Sequence, residues 1–231
     1  VNGFYWGSYQ MTQKVEVGSS SLVDDIDTDS YLNEDGTVKE DFPFLCEVDA
    51  GANDYDDYYV SAVGNKITIK SPELNPGDPG YEEVKAYVKS KFTDFYNATR
   101  KASVDLSKYA DVYSLTKLYL INELGKNWDS GVSSLFFTYK QDENGDYKFY
   151  GSPVWDYDNS LGNAGGEQYE LSYIGVKDYT EYSGWWCKFK GKDKNSKSSS
   201  NVMNNISRNK YVTAAAPKIW FEDFMPAINH F

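Results

Sequence analysis

Two stretches of helical periodicity lie mid-chain with strand-like segments on either side, and that order constrains the fold most. From about Tyr81 to Lys101, the residues Val84, Tyr87, Val88, Phe92 and Phe95 recur at three- and four-residue steps. A second stretch runs from about Ser107 to Leu124, with Tyr109, Val112, Tyr113, Leu115, Leu118 and Tyr119 along it. Asp105 or Ser107 is placed to cap this second helix, and Gly125 to end it. Upstream, residues 1–17 read as a hairpin entered by Asn2-Gly3, 42–50 as a buried strand, and 57–70 as two short strands around Gly64-Asn65. Downstream, Leu135–Tyr139 and Tyr147–Tyr150 read as strands joined by Asp142-Glu143-Asn144-Gly145-Asp146, a connection of hairpin composition. The acidic stretch 18–41 reads as an exposed loop, and Pro72, Pro76 and Pro79 punctuate a linker. Residues 190–200 are polar and of low complexity, and Ile219–Phe224 reads as an amphipathic helix. Strands joined by short turns, with helices grouped between them, imply an α+β fold built on antiparallel pairs.

Composition narrows the chemistry. At 231 residues the chain is long enough to bury one substantial core, so a single domain is expected. Its net charge of −12 disfavours binding to phosphate backbones and anionic membranes and suits bound cations. No run of eighteen apolar residues is present, so no membrane-spanning helix is expected. Two cysteines, Cys46 and Cys187, make no disulfide framework, and their pairing is left open. The sole histidine, His230, argues against a Ser-His-Asp hydrolase and against a Cys/His zinc site. An EF-hand counted from Asp25 fails because its twelfth position is Gly36. The 21 tyrosines are strand formers as readily as contact residues. Trp185-Trp186 reads as buried packing or as a platform for sugar rings.

The candidate chemistry lies in residues 151–163, Gly-Ser-Pro-Val-Trp-Asp-Tyr-Asp-Asn-Ser-Leu-Gly-Asn. Asp156 and Asp158 stand two apart among large aromatics, a pattern that lets alternate carboxylates face a hard cation while aromatic packing holds the backbone. Upstream, Asp129 follows the second helix within Asn127-Trp128-Asp129. The order helix, Asp129 loop, hairpin, Asp156 suits metal-assisted phosphoryl transfer, in which one carboxylate orients a hydroxyl and another holds the metal. The plainer alternative is that all three are turn or capping aspartates.

Several of these segments together resemble the CotH-type kinase family, the relatives of bacterial spore coat protein H. The matching residues are Leu120-Ile121-Asn122-Glu123-Leu124, Lys126-Asn127-Trp128-Asp129, Phe136–Lys140 and Gly151–Asn163. Val1–Tyr9, Lys14–Val17, Phe44–Asp49 and Ile67–Glu73 also fit. The resemblance implies a divergent protein-kinase-like fold, mainly its large lobe, and transfer of phosphate from ATP, with Mg²⁺ or Mn²⁺, to hydroxyls of secreted or surface proteins. It implies Asp129 as the catalytic aspartate, Asp156 as the metal-binding aspartate with help from Asp158, and Asn127 and Ser134 as supporting residues. It also implies an extracellular or bacterial cell-surface location. Two positions depart from the family pattern. Ser134 stands where many members carry asparagine, and Gln13 where they carry glutamate.

On this reading the chain divides into a strand-rich part (1–70), a helical part (80–125), the catalytic-loop and metal-loop region (126–166) and an irregular, helical tail (167–231). The family's nucleotide-clamping lysine belongs before Val1, so a small lobe is expected to be largely missing from this stretch, which reads as a fragment. The alternative reading is a non-catalytic, pseudokinase-like binding or scaffold module of a bacterial surface or secreted assembly, with a possible polysaccharide partner.

Overall fold

The computed structural model describes residues 13–24, 26–55, 58–127, 130–158, 160–161, 185, 187 and 201–230, with the side chains of 53 and 55 left aside. Residues 1–12 of the expected hairpin 1–17 and the whole of the polar stretch 190–200 fall outside these residues.

The architecture is α+β. Five antiparallel strands form one sheet in the order β2-β3-β1-β4-β5. They are β1 (Phe44–Val48), β2 (Tyr59–Ala62), β3 (Asn65–Ser71), β4 (Leu135–Gln141) and β5 (Tyr147–Gly151). The short helix α1 (Ala52–Tyr55) follows β1. The two long helices are α2 (Tyr81–Thr99) and α3 (Val112–Gly125). The last described stretch is helical throughout. It comprises α4 (Val202–Arg208), α5 (Lys210–Ile219), a π-helical turn (Trp220–Phe224) and α6 (Met225–Ile228).

β1 is central, paired to β3 on one side and β4 on the other, and all five of its residues are buried. Side chains alternate across a strand, so its two faces do different work. Phe44, Cys46 and Val48 join the main core with Val84, Val88, Phe92 and Phe95 of α2 and Leu115 and Leu118 of α3. Phe149 of β5 sits among the rings of Phe44, Phe95 and Tyr139, with centroids 5.7, 4.6 and 4.8 Å away. On the opposite face Leu45 packs with Val15, Val23 and Phe136, and Trp155 leans on this smaller cluster. Beside it Glu47 holds Lys70 at 2.9 Å.

Three expectations need correction. The second helix starts later than Ser107, because Ala110 bridges to Phe149 and the Asp111 N–H donates to the Phe149 carbonyl. Asp105 instead caps a 3-10 turn at Leu106–Lys108, and Asp111 caps α3 by accepting from the Ser114 N–H at 2.7 Å. Tyr109 and Tyr113 are therefore exposed and not on a core stripe. The stretch 18–41 is not a purely exposed loop, since Val23, Thr28 and Tyr31 are buried and Leu32 bridges to Val38. Cys46 and Cys187 are both buried thiols, and neither forms a disulfide.

Candidate functional site

The candidate site forms where the end of α3, the start of β4 and the segment after β5 meet. Lys126, not Gly125, takes the left-handed position that ends α3, with φ +51°. Gly125 serves another purpose. A Cβ added to it would lie 3.1 Å from the Tyr157 ring, so its missing side chain lets the segment after β5 lie against the helix. The Leu161 N–H donates to the Gly125 carbonyl at 2.6 Å, and the Ser160 hydroxyl donates to the Tyr157 carbonyl at 2.7 Å. This docking brings residues 156–158, 160 and 161 to the helix end from more than thirty positions away along the chain.

Asp156 is held there in a left-handed backbone conformation, with φ +58°. Ser134, just before β4, is left-handed too, with φ +54°, and its hydroxyl donates to Asp156 Oδ2 at 3.1 Å. Left-handed backbone disfavours side chains with a Cβ, and two such residues in direct contact mark a spot the surrounding fold enforces. The residue Asp156 is exposed, yet its carboxyl titrates above the usual range. Partial withdrawal from water is the main cause, the Ser134 hydrogen bond opposes it, and the charges of Asp158 and Asp49 add to it.

Asp49 is the member that sequence reasoning missed. It lies buried just beyond β1, and its Oδ1 accepts from the Gly51 N–H at 2.9 Å. The next N–H, of Ala50, donates to the Val132 carbonyl and to the Ser133 hydroxyl at 3.1 and 3.2 Å, tying β1 to the loop before β4. The available signal was its place at the end of the Phe44–Asp49 run, where strand alternation puts it on the face of Glu47.

Asn127 is buried, and its amide donates to Asn122 Oδ1 at 3.0 Å. Its own Oδ1 finds no hydrogen-bond partner among the described residues. Asp129 lies outside those residues, as does Trp128, so the structure brings together Ser134 and Asp156 and places Asn127 at the helix end. The loop between is braced from the C-terminal helices. A Cβ on Gly131, where φ is +83°, would come within 2.8 Å of Asn201 and Met203. Asn201 Nδ2 donates to the Ser130 carbonyl, and the Ser130 hydroxyl lies 3.4 Å from the Cys187 sulfur. Buried Glu123 accepts from the Cys187 N–H at 2.9 Å. Trp185 is 60% exposed and lies nearly parallel to Tyr119 at 6.4 Å, while Trp186 is outside the described residues.

The donor chemistry suits a small hard cation, which takes one or two carboxylates and fills its remaining positions with water and phosphate oxygens. Asp156 and Asp158 with the Ser134 hydroxyl meet that requirement, and the crowding of negative charge on Asp156 is the condition a divalent cation relieves. Among the described residues no group of three or more His, Cys, Asp or Glu is arranged to hold a metal ion.

No protein-family model, curated protein or solved structure matches this chain. No helix among the described residues is long and apolar enough to cross a membrane.

Proposed function

We propose that the site around Asp156 is a metal-dependent phosphoryl-transfer site, and that the chain is a CotH-like kinase domain acting with ATP on hydroxyls of secreted or surface proteins. The observation that carries this reading is the contact of Ser134 with Asp156, two left-handed residues meeting beside the end of α3. The sequence order helix, loop, hairpin, aspartate supports the same reading. Asp156 and Asp158 would hold the ion, and the Ser134 hydroxyl, which donates to one Asp156 oxygen, would help fix that carboxylate. Asn127 anchors the loop that carries Asp129, and Asp129 orients the acceptor hydroxyl and takes its proton. Bound Mg²⁺ or Mn²⁺ supplies neutralisation of the phosphate oxygens. The protein's part is positioning and electrostatics, which is most of what phosphoryl transfer needs. A divergent kinase-like fold and an extracellular or bacterial surface location, such as a spore coat, belong to the same proposal.

The competing reading is a non-catalytic binding or scaffold module. One observation favours it: the described residues contain no three-ligand metal group. Calorimetry of ATP binding with and without Mn²⁺ separates the two. The kinase reading expects Mn²⁺-dependent binding that Asp156→Ala abolishes. Absence of binding, or binding unaltered by Asp156→Ala, overturns it in favour of the scaffold.

A further inference from the structure

Glu123 is a buried carboxylate in the last turn of α3. Taking such a group out of water costs free energy that only good partners offset. Glu123 gives its two oxygens to two different segments. Oε1 lies 3.5 Å from the Lys126 ammonium, and Oε2 accepts from the Cys187 N–H at 2.9 Å. Lys126 is the left-handed residue at which the chain leaves α3. Cys187 reaches further. Its carbonyl accepts from Asn204 Nδ2 and from the Ser207 hydroxyl, at 3.1 and 3.3 Å, which ties it to α4. Its sulfur meets the Ser130 hydroxyl at 3.4 Å.

The span 126–130 carries Asp129, and both of its ends are therefore tied to one carboxylate. The near end is tied directly, through the Lys126 side chain. The far end is tied through Cys187 to Ser130. Between them, the Asn127 N–H donates to the Asn122 carbonyl at 3.1 Å, and the Ser130 N–H donates to the Asn127 carbonyl at 3.4 Å. Stability alone does not call for this arrangement. The Glu123 and Lys126 side chains are only 7% and 18% exposed, and apolar side chains of similar size often match or better a buried ion pair. What apolar side chains would not do is hold two segments by directed bonds.

We infer that Glu123 is a positioning residue for the phosphoryl-transfer site, setting where the span 126–130, and with it Asp129, is held. The inference rests on the phosphoryl-transfer reading. It assigns the segment from Cys187 through α4 a part in supporting the site. A group that orients the acceptor hydroxyl acts on the transition state and not on ATP binding. Loosening its support should therefore lower kcat and leave KM for ATP in place.

The double variant Glu123→Met with Lys126→Met tests this, because it removes both charges, keeps side-chain volume and strands no buried ion. Amide hydrogen exchange, the denaturant midpoint and Mn²⁺-dependent release of ADP from ATP are measured on variant and parent. Exchange should quicken about tenfold or more at Asn127 and Ser130, with Phe149 and the midpoint unchanged. The kcat should fall about tenfold or more, with KM for ATP within about twofold of the parent. Glu123→Gln, which can still accept from the Cys187 N–H, should fall between the two. Unchanged exchange at Asn127 and Ser130 would overturn the proposal, as would a KM that rises at constant kcat. Loss of protection shared equally by Phe149 would also overturn it, since that marks a purely structural role. Absence of ADP release by the parent would instead overturn the phosphoryl-transfer reading, with the exchange pattern still deciding whether Glu123 places the span.

Discussion

Two aspartates at opposite ends of the β4–β5 hairpin live in opposite electrostatic worlds. Asp142, in the closed turn, accepts from Lys148 Nζ and from the N–H groups of Asn144 and Asp146, at 2.6, 2.8 and 3.0 Å. Its carboxyl is held down to about 2, chiefly by Lys148. Asp156, beyond the open end, has a hydroxyl donor in Ser134, and its carboxyl is pushed up by partial withdrawal from water first and by the charges of Asp158 and Asp49 in addition. The fold satisfies the first and leaves negative charge accumulated at the second. A carboxylate that the structure stabilises closes a turn. One that it crowds with like charge is a candidate for a bound cation.

The strongest way to break this contrast is to remove what both ends share. Phe149→Ala empties a fully buried position ringed by aromatics and should cost about 3–5 kcal/mol. Denaturant unfolding should show the loss, with both ends of the hairpin losing hydrogen-exchange protection together.

Gly125→Val acts on one end alone. Its branched side chain would push the Tyr157 ring off α3, at about 1–3 kcal/mol by the usual cost of overpacking. Exchange protection should fall at Leu161, whose N–H bonds Gly125, and stay unchanged at Asn144 and Asp146.

Asp142→Ala sharpens the other end. A carboxyl held below its ordinary range adds stability above that range, and this is lost as pH falls towards about 2. The variant should therefore melt below the parent at neutral pH, with the gap closing in acid.

Asp156→Asn should have the smallest effect and the opposite sign. A carboxyl raised by folding favours the native state while protonated, and this advantage is lost as pH rises through its folded-state value. Near neutral pH the Asn variant should melt slightly above the parent. Mn²⁺ should reverse the order by stabilising only the parent, which differential scanning fluorimetry can read.

The strands and α2 were legible because their signals are local: apolar spacing in α2, and a turn-forming cluster between β4 and β5. The start of α3 was not. Asp105 and Asp111 are both good caps, and the choice between them was made by a strand, through the Asp111–Phe149 bond. Gly125 read as a helix terminator, whereas its role depends on Tyr157, which no local pattern connects to it. At the site, Asp156 and Ser134 could be singled out by motif and offset, but their backbone conformations and contact arise only in the folded chain. Asp49 escaped notice because an aspartate ending a strand looks ordinary until the neighbouring segments arrive.

Paramagnetic broadening by Mn²⁺ in an amide NMR spectrum tests the central claim most directly, because it locates a cation on the chain. The account expects broadening centred on Ser134 and residues 155–158, absent in Asp156→Ala, with Asn144–Lys148 left sharp. Broadening centred on the Asp142 turn, or none at either end, would contradict it.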